Sequence, residues 1–408
     1  MILRQDLLTS ASPAGLQVYQ LTSEGVPSSH LYMEAQVFSP DSKRLLVHRS
    51  AHAHGSDKHD PEHQYLVCDL DSGGAFLTLT TEVGATAPSV SPDGKWVYYF
   101  VNETEVGGGR LTLKRVRMDA TERETLLVID APIAGTDLRP SHIYPLSTIR
   151  SDGDSLALSC FLRDGERDDL PWGLMVFDLR AGTVRVVLQG NDWINIHPQY
   201  SRSLDPLAKH DILVQQNHGY FHDPGDGAWR FSHNSTGADI HVICDDGSNF
   251  RNMPWGRDGN EFCQGHQCWI GRSTRAITST GTRRPAEQQI IAGRAAPYAG
   301  HVGLATPGGW RNDMTRSFAS PHFHHFATDI AGRTFISDWR FEERQAIYLA
   351  HFPNDDEAPL EGYTYLCDPR SSWKKESHVH PFLSPDGSHG FFNSDESGTL
   401  QAYMVCGW

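Results

Sequence analysis

No stretch of this 408-residue chain stays apolar for the roughly 20 residues that a membrane-spanning helix needs, and the mean hydropathy is negative. The first residues, MILRQDLLTS, lack the basic stretch and following apolar segment of roughly 7–15 residues that make a signal peptide. These two absences predict a soluble protein and place it in the cytoplasm. Cysteine is sparse. The seven residues at 68, 160, 244, 263, 268, 367 and 406 contain no C-x-x-C spacing, which excludes a disulfide framework and a zinc knuckle. Positive charge is also short: 35 Lys and Arg against 50 Asp and Glu leave a net charge of −15, with no Lys/Arg-rich segment. Nucleic acid is thereby excluded as a partner, and an acidic substrate would have to be held by a local site of opposite sign. Helical 3.6-residue periodicity is almost missing as well.

What is present is a repeat. Phe38-Ser39-Pro40-Asp41-Ser42-Lys43-Arg44-Leu45-Leu46 returns as Val90-Ser91-Pro92-Asp93-Gly94-Lys95-Trp96-Val97-Tyr98 and again as Leu383-Ser384-Pro385-Asp386-Gly387. Each phrase reads as a strand, a tight turn and a second strand. Weaker copies begin at Ser151-Asp152-Gly153, Ser203-Leu204-Asp205-Pro206, Gly271-Arg272-Ser273 and Ile330-Ala331-Gly332. Seven copies, each with room for four short strands, predict an all-β, seven-bladed β-propeller spanning 1–408 as one domain. A chain of small β-sandwiches would need linkers, and no Pro/Gly/Ser-rich segment supplies them. There is no G-x-S-x-G elbow and no room for a hydrolase domain, which excludes the peptidases that carry a propeller.

The 22 histidines cluster. In a propeller the first strand of each blade lines the central channel, so residues just upstream of each turn share one radius. His380 lies seven residues before Gly387 and His325 seven before Gly332, which predicts equivalent positions in adjacent blades. His378 is two residues from His380, on the same face if the strand is regular. Three imidazoles from two neighbouring strands can converge on a divalent first-row metal. Other histidines fall at comparable positions: His30, His142, His197 and His266. Either His197 or His266 could serve as a base near neutral pH, and position alone does not choose between them. A second group, His48, His52, His54, His59 and His63, sits in a polar loop and offers a second place for a metal.

The segment SHVHPFLSPDGSHGFFNSDESGTLQAYMV, with Ser372-Trp373-Lys374 before it and IHPQY, QQNHGY, VICDDGSNFR and GHQCWI upstream, resembles the oligogalacturonate lyases of polysaccharide lyase family 22. That resemblance runs from LQVYQLTSEG to the last blade. It implies a cytoplasmic seven-bladed propeller that uses a divalent metal, usually manganese, to split oligogalacturonides from pectin by β-elimination. Carried over by position, His325, His378 and His380 match the metal histidines. His266 matches the histidine of the proton-abstraction step, which chooses it over His197. Two positions depart from the pattern. Lys375 stands where the family has a fourth ligand, a glutamine, so water or Glu376 would complete the shell. Asp239 stands near the place of the family's catalytic arginine, and Arg230, within the insertion HDPGDGAWRFSHNSTG, is the candidate to return a guanidinium there.

The resulting expectation assigns the metal to His325, His378 and His380, catalysis to His266 and Arg230, and substrate binding to Lys375, His197 and His218. The partner is an oligogalacturonide or a related uronide, with no nucleic acid and no membrane. Two other readings are carried: a lyase acting on a different uronic-acid oligosaccharide, and a non-catalytic propeller that binds a metal or ligand.

Overall fold

The chain is described from a computed structural model, which covers residues 1–32, 36–50, 60, 62–105, 108–163, 172–191, 193–217, 220–222, 229–231, 238–256, 261–282, 290–291, 294–295, 302–315, 323–341, 344–374 and 377–408. Helical structure among these residues is confined to short 3-10 turns such as Gln5–Leu7 and Ala208–His210. Among the described residues no helix is long and apolar enough to cross a membrane.

The all-β expectation holds. Four antiparallel sheets have four strands each, beginning with Ser28–His30, Ala85–Val90, Arg139–Ile149 and Phe323–Thr328. Innermost strands of neighbouring sheets contact one another: Ala85–Val90 and Gln199–Tyr200 each touch Arg139–Ile149, and Glu261–Trp269 and Phe382–Leu383 each touch Phe323–Thr328. The ring is closed by mixing chain ends: Gln17–Gln20 pairs with Gln401–Cys406, with Val18 opposite Val405, and Ile2–Leu3 adds an outer strand. Arg4 Nη2 donates to Glu396 Oε2 at 2.8 Å, tying the same two ends.

The number of blades differs from the sequence expectation. Among the described residues six sheets have four or more strands, so there are six blades and not seven. The two repeat units that run from Gln199–Tyr200 to Arg311–Asp313 belong to one eight-stranded sheet. They are joined because Glu261–Trp269 runs past its own unit far enough for Cys263 to pair with Ala238 of the preceding one. One blade is therefore double width and carries two of the seven sequence repeats.

The turn phrases repeat for a reason visible in their hydrogen bonds. In the three Ser-Pro-Asp copies the serine hydroxyl donates to the aspartate two residues on, at 2.5 Å (Ser39 to Asp41) and 2.6 Å (Ser91 to Asp93, Ser384 to Asp386). The same serine oxygen accepts the N–H of Arg44, Trp96 or His389, and the aspartate accepts that of Lys43, Lys95 or Ser388. Two polar side chains thus satisfy the N–H groups that a tight turn would leave unpaired. Between blades the packing is apolar. Val18, Val47, Val67, Val97, Ile336 and Val405 share one cluster across the closure, and Phe100, Leu158, Phe177 and Ile212 share another. All nine residues of Ser155–Arg163 are buried, as expected of a middle strand covered on both faces.

Candidate functional site

His325 owes its position to a β-bulge. Phe323 pairs with Trp339 and Phe326 with Ser337, so His324 and His325 together oppose the single residue Asp338. Asp338 is fully buried and takes both donors of His325: the backbone N–H at 2.8 Å to Oδ1 and ring Nδ1 at 2.9 Å to Oδ2. Burial pushes the Asp338 carboxyl up to about 6, against the opposing pull of nearby imidazoles and the His325 N–H. With Nδ1 engaged by Asp338, Nε2 is the nitrogen by which His325 could bind an ion.

His378 and His380 do not lie on a regular strand, as the sequence had suggested. The strand starts only at Phe382, and His380 has a left-handed backbone, φ +44°. The segment is held instead by its neighbours. Asp395 accepts from Ser372 N–H at 2.7 Å and from the Ser377 hydroxyl at 2.9 Å. Burial disfavours the charge on Asp395, yet these donors hold its carboxyl below the usual range. The N–H of Asn393 donates to the Val379 carbonyl at 2.9 Å, and Val379 is fully buried between the two histidines. Asn-Ser-Asp, residues 393–395, is therefore the anchor of the histidine segment.

The outcome is convergence. One ring nitrogen from each of His325, His378 and His380 falls within 4.8 Å of the others, and this is the one three-ligand group of its kind among the described residues. The donors suit a divalent first-row ion, and His325 carries the buried carboxylate partner that commonly orients a metal-bound imidazole.

His266 completes the wall. Its ring centroid lies 4.2 Å from that of His325, although it comes from the double-width blade. Gly265 places it: φ is +83°, and a Cβ there would meet the Gln215 side chain at 2.9 Å. Burial, and then the imidazoles of His325 and His197, drive the His266 pKa well below the ordinary histidine value. Its Nδ1 is buried with no hydrogen-bond partner. Such an imidazole stays neutral and keeps a lone pair available. His197, buried and in a left-handed conformation of φ +49°, sits 3.3 Å from the Tyr144 hydroxyl. The Tyr32 ring touches both His197 and His380, with centroids 5.2 and 4.8 Å apart.

Other expected residues fall elsewhere. His218, Lys375 and Glu376 lie outside the described residues, as do the side chains of His142 and Arg230. Arg230 belongs to a hairpin of Tyr220–His222 and Trp229–Phe231, and Asp239 pairs with Gln216 on the neighbouring strand. His30 is buried in the closure, stacked on Phe382, and burial pushes its pKa down to about 4. Of the loop cluster, His48 and His63 face one another at 3.5 Å beside Tyr65; His52, His54 and His59 lie outside the described residues. The sequence singles out neither Asp338 nor His324 as a contributor, and Trp373 figures there only as part of a motif, Ser372-Trp373-Lys374. Asp338 was signalled only as an acid inside the apolar strand TFISDWRF. His324 neighbours the Trp373 ring at 5.4 Å, and Trp373 in turn lies 5.8 Å from His378.

No protein-family profile and no curated protein sequence matches this chain. Solved structures do. One is an oligogalacturonate lyase in complex with manganese, at 18% identity and a TM-score of 0.68, covering 100% of this chain and 96% of that one. A second is oligogalacturonate lyase from Vibrio parahaemolyticus, at 17% identity and a TM-score of 0.69, covering 97% and 95%. The fold is shared with these lyases. More remote is the β-propeller domain of the trilobed protease from Pyrococcus furiosus, at 10% identity and a TM-score of 0.51, covering 95% of each chain.

Proposed function

We propose that this chain is a metal-dependent lyase of the oligogalacturonate lyase type, a cytoplasmic single-domain enzyme acting on short oligogalacturonides from pectin. The observation that carries the reading is the convergence of three imidazoles beside a neutral fourth. The fold shared with two oligogalacturonate lyases, one of them a manganese complex, supports it.

In this reading His325, His378 and His380 hold a divalent ion, manganese by analogy with that complex. When bound, such an ion supplies a Lewis acid for the charge that develops on a uronate carboxylate. Asp338 keeps His325 in the tautomer that presents Nε2. His266 removes the C5 proton of the uronide. The electron pair of that C–H bond forms the C4–C5 double bond, and the C4–O bond breaks, its pair leaving with the glycosidic oxygen, which takes up a proton. The products are a 4,5-unsaturated uronide and a shortened chain. Arg230 is assigned to the developing negative charge, and Lys375, His197 and His218 to binding the sugar. His197 has the shape for this role, since Tyr144 and Tyr32 fix its ring.

The departures at Lys375 and Asp239 favour one second reading, the same elimination on a different uronide. De-esterified oligogalacturonides incubated with manganese or with chelator, followed by the ultraviolet absorbance of the unsaturated product, test the proposal. Metal-dependent absorbance is expected. Its absence with galacturonides and presence with another uronide would transfer the assignment, and silence with every uronide in a metal-loaded protein would refute it.

A further inference from the structure

His325 is the third residue of its innermost strand, Phe323–Thr328, and His378 and His380 precede theirs, Phe382–Leu383. At the far end of the His325 strand, among the turn phrases, lies a separate cavity of about 190 Å³. His325 and Thr328 sit on the same short strand, Phe323–Thr328, yet only Thr328, at its far end, lines this cavity. Most of its wall is apolar, including Val37, Phe38, Ile330, Phe382 and Leu383. Two cations, Arg202 within the wall and the exposed Arg272, interrupt that surface, together with the uncharged polar residues Gln36, Ser91, Ser151, Ser201 and Thr328.

Arg202 is under-used. Its guanidinium has five N–H donors and makes one hydrogen bond, from Nη1 to the Thr328 carbonyl at 3.2 Å. The carboxylate whose charge it feels is Asp329, and Asp329 already accepts the N–H groups of Arg333 and Thr334 at 2.7 and 2.8 Å. Burial lowers the Arg202 pKa. A planar fork of this kind matches a carboxylate in two-point geometry.

We propose that this cavity is a second ligand site, built for a small organic monocarboxylate with an apolar body. The carboxylate meets Arg202, and the body fills the surface between Phe38 and Phe382. An engineered apolar cavity of about 150 Å³ holds benzene, so a one-ring acid is of suitable size. A sugar acid is not, because the uncharged polar side chains of this wall already hydrogen-bond within the protein: Gln36 with Thr148 and Ile149, Ser91 with Asp93, Ser151 with the Ser203 carbonyl, Ser201 with the Ser203 N–H and Thr328 with the Trp269 carbonyl.

Benzoate is the probe, measured by calorimetry on chelator-treated full-length protein so that binding at the imidazoles does not contribute. Benzoate is expected to bind at least about tenfold more tightly than acetate or inorganic phosphate. Arg202→Gln should weaken it about tenfold or more while oligogalacturonide turnover is unchanged. Should that variant fail to fold, Arg202→Lys, which keeps the charge and loses the fork, and Arg272→Gln, at an exposed position, carry the test. Both should weaken binding, the lysine variant more. No benzoate binding to the unaltered protein, equal affinity in the Arg202 variants, or phosphate binding as tight as benzoate would each overturn the proposal.

Discussion

The last two blades and the double-width blade both deliver imidazoles to one wall, but they prepare them in opposite ways. His325 is braced by a buried carboxylate that occupies Nδ1, and His378 and His380 follow a segment clamped by Asp395 and Asn393. His266, from the double-width blade, has a buried Nδ1 with no partner, and burial and neighbouring rings push it toward the neutral form. A braced imidazole has a fixed tautomer and keeps its lone pair on Nε2, which suits a ligand. A desolvated one with no carboxylate beside it has nothing to stabilise a premature proton, which suits a base.

The sharpest way to break this division is to remove one member from each side. His380→Ala should lose stoichiometric manganese and lower lyase turnover by about a thousandfold or more, read by metal analysis alongside product absorbance. His266→Ala should lower turnover by about 10²–10⁴ and leave the metal bound. Metal loss in the His266 variant would mean that the two sides are not distinct. Asp338→Asn tests the brace, with an expected loss of about 10–100-fold in manganese affinity, measured by titration of chelator-treated protein. Gly265→Ala tests the placement of the base: a drop of roughly tenfold in kcat with unchanged metal affinity is expected, because a small displacement of a reacting group suffices.

The smallest effect concerns the closure that supports His378 and His380. Hydrogen bonding from Arg4, and also from Tyr403, holds the Glu396 carboxyl below its ordinary value in the folded protein. A carboxylate depressed in this way adds stability above the unfolded-state pKa and loses it as pH falls through the folded one. Glu396→Gln should therefore unfold at lower denaturant than the parent at neutral pH, and the gap should shrink on acidification. A gap that widens in acid would reverse the sign of this contribution.

The three-histidine centre was legible in sequence because its register repeats: His325 and His380 are equally far from their turn glycines, and the turn itself is written in Ser-Pro-Asp. The backbone that delivers them was not. Alternation implied a regular strand at His378–His380, whereas a left-handed residue at His380 aims the ring. Asp338 was illegible because only a bulge, two residues facing one, makes it the partner of His325. The merging of two units into one sheet rests on the single pairing of Ala238 with Cys263, and no repeat spacing encodes one pair of hydrogen bonds. Serine and aspartate in the turns were recognised as turn formers, while their shared pattern of bonds became evident only in three dimensions.

The strand exchange that closes the ring also sets an order of events during synthesis. Val18 cannot pair with Val405 until everything between them has been made, so one strand of this sheet must wait for a partner synthesised much later. The blade that waits is the one that leads in from His378 and His380. In the proposed reading, metal capture is tied to this late pairing: a polypeptide interrupted between His325 and His378 would carry His266 and His325 but no finished centre.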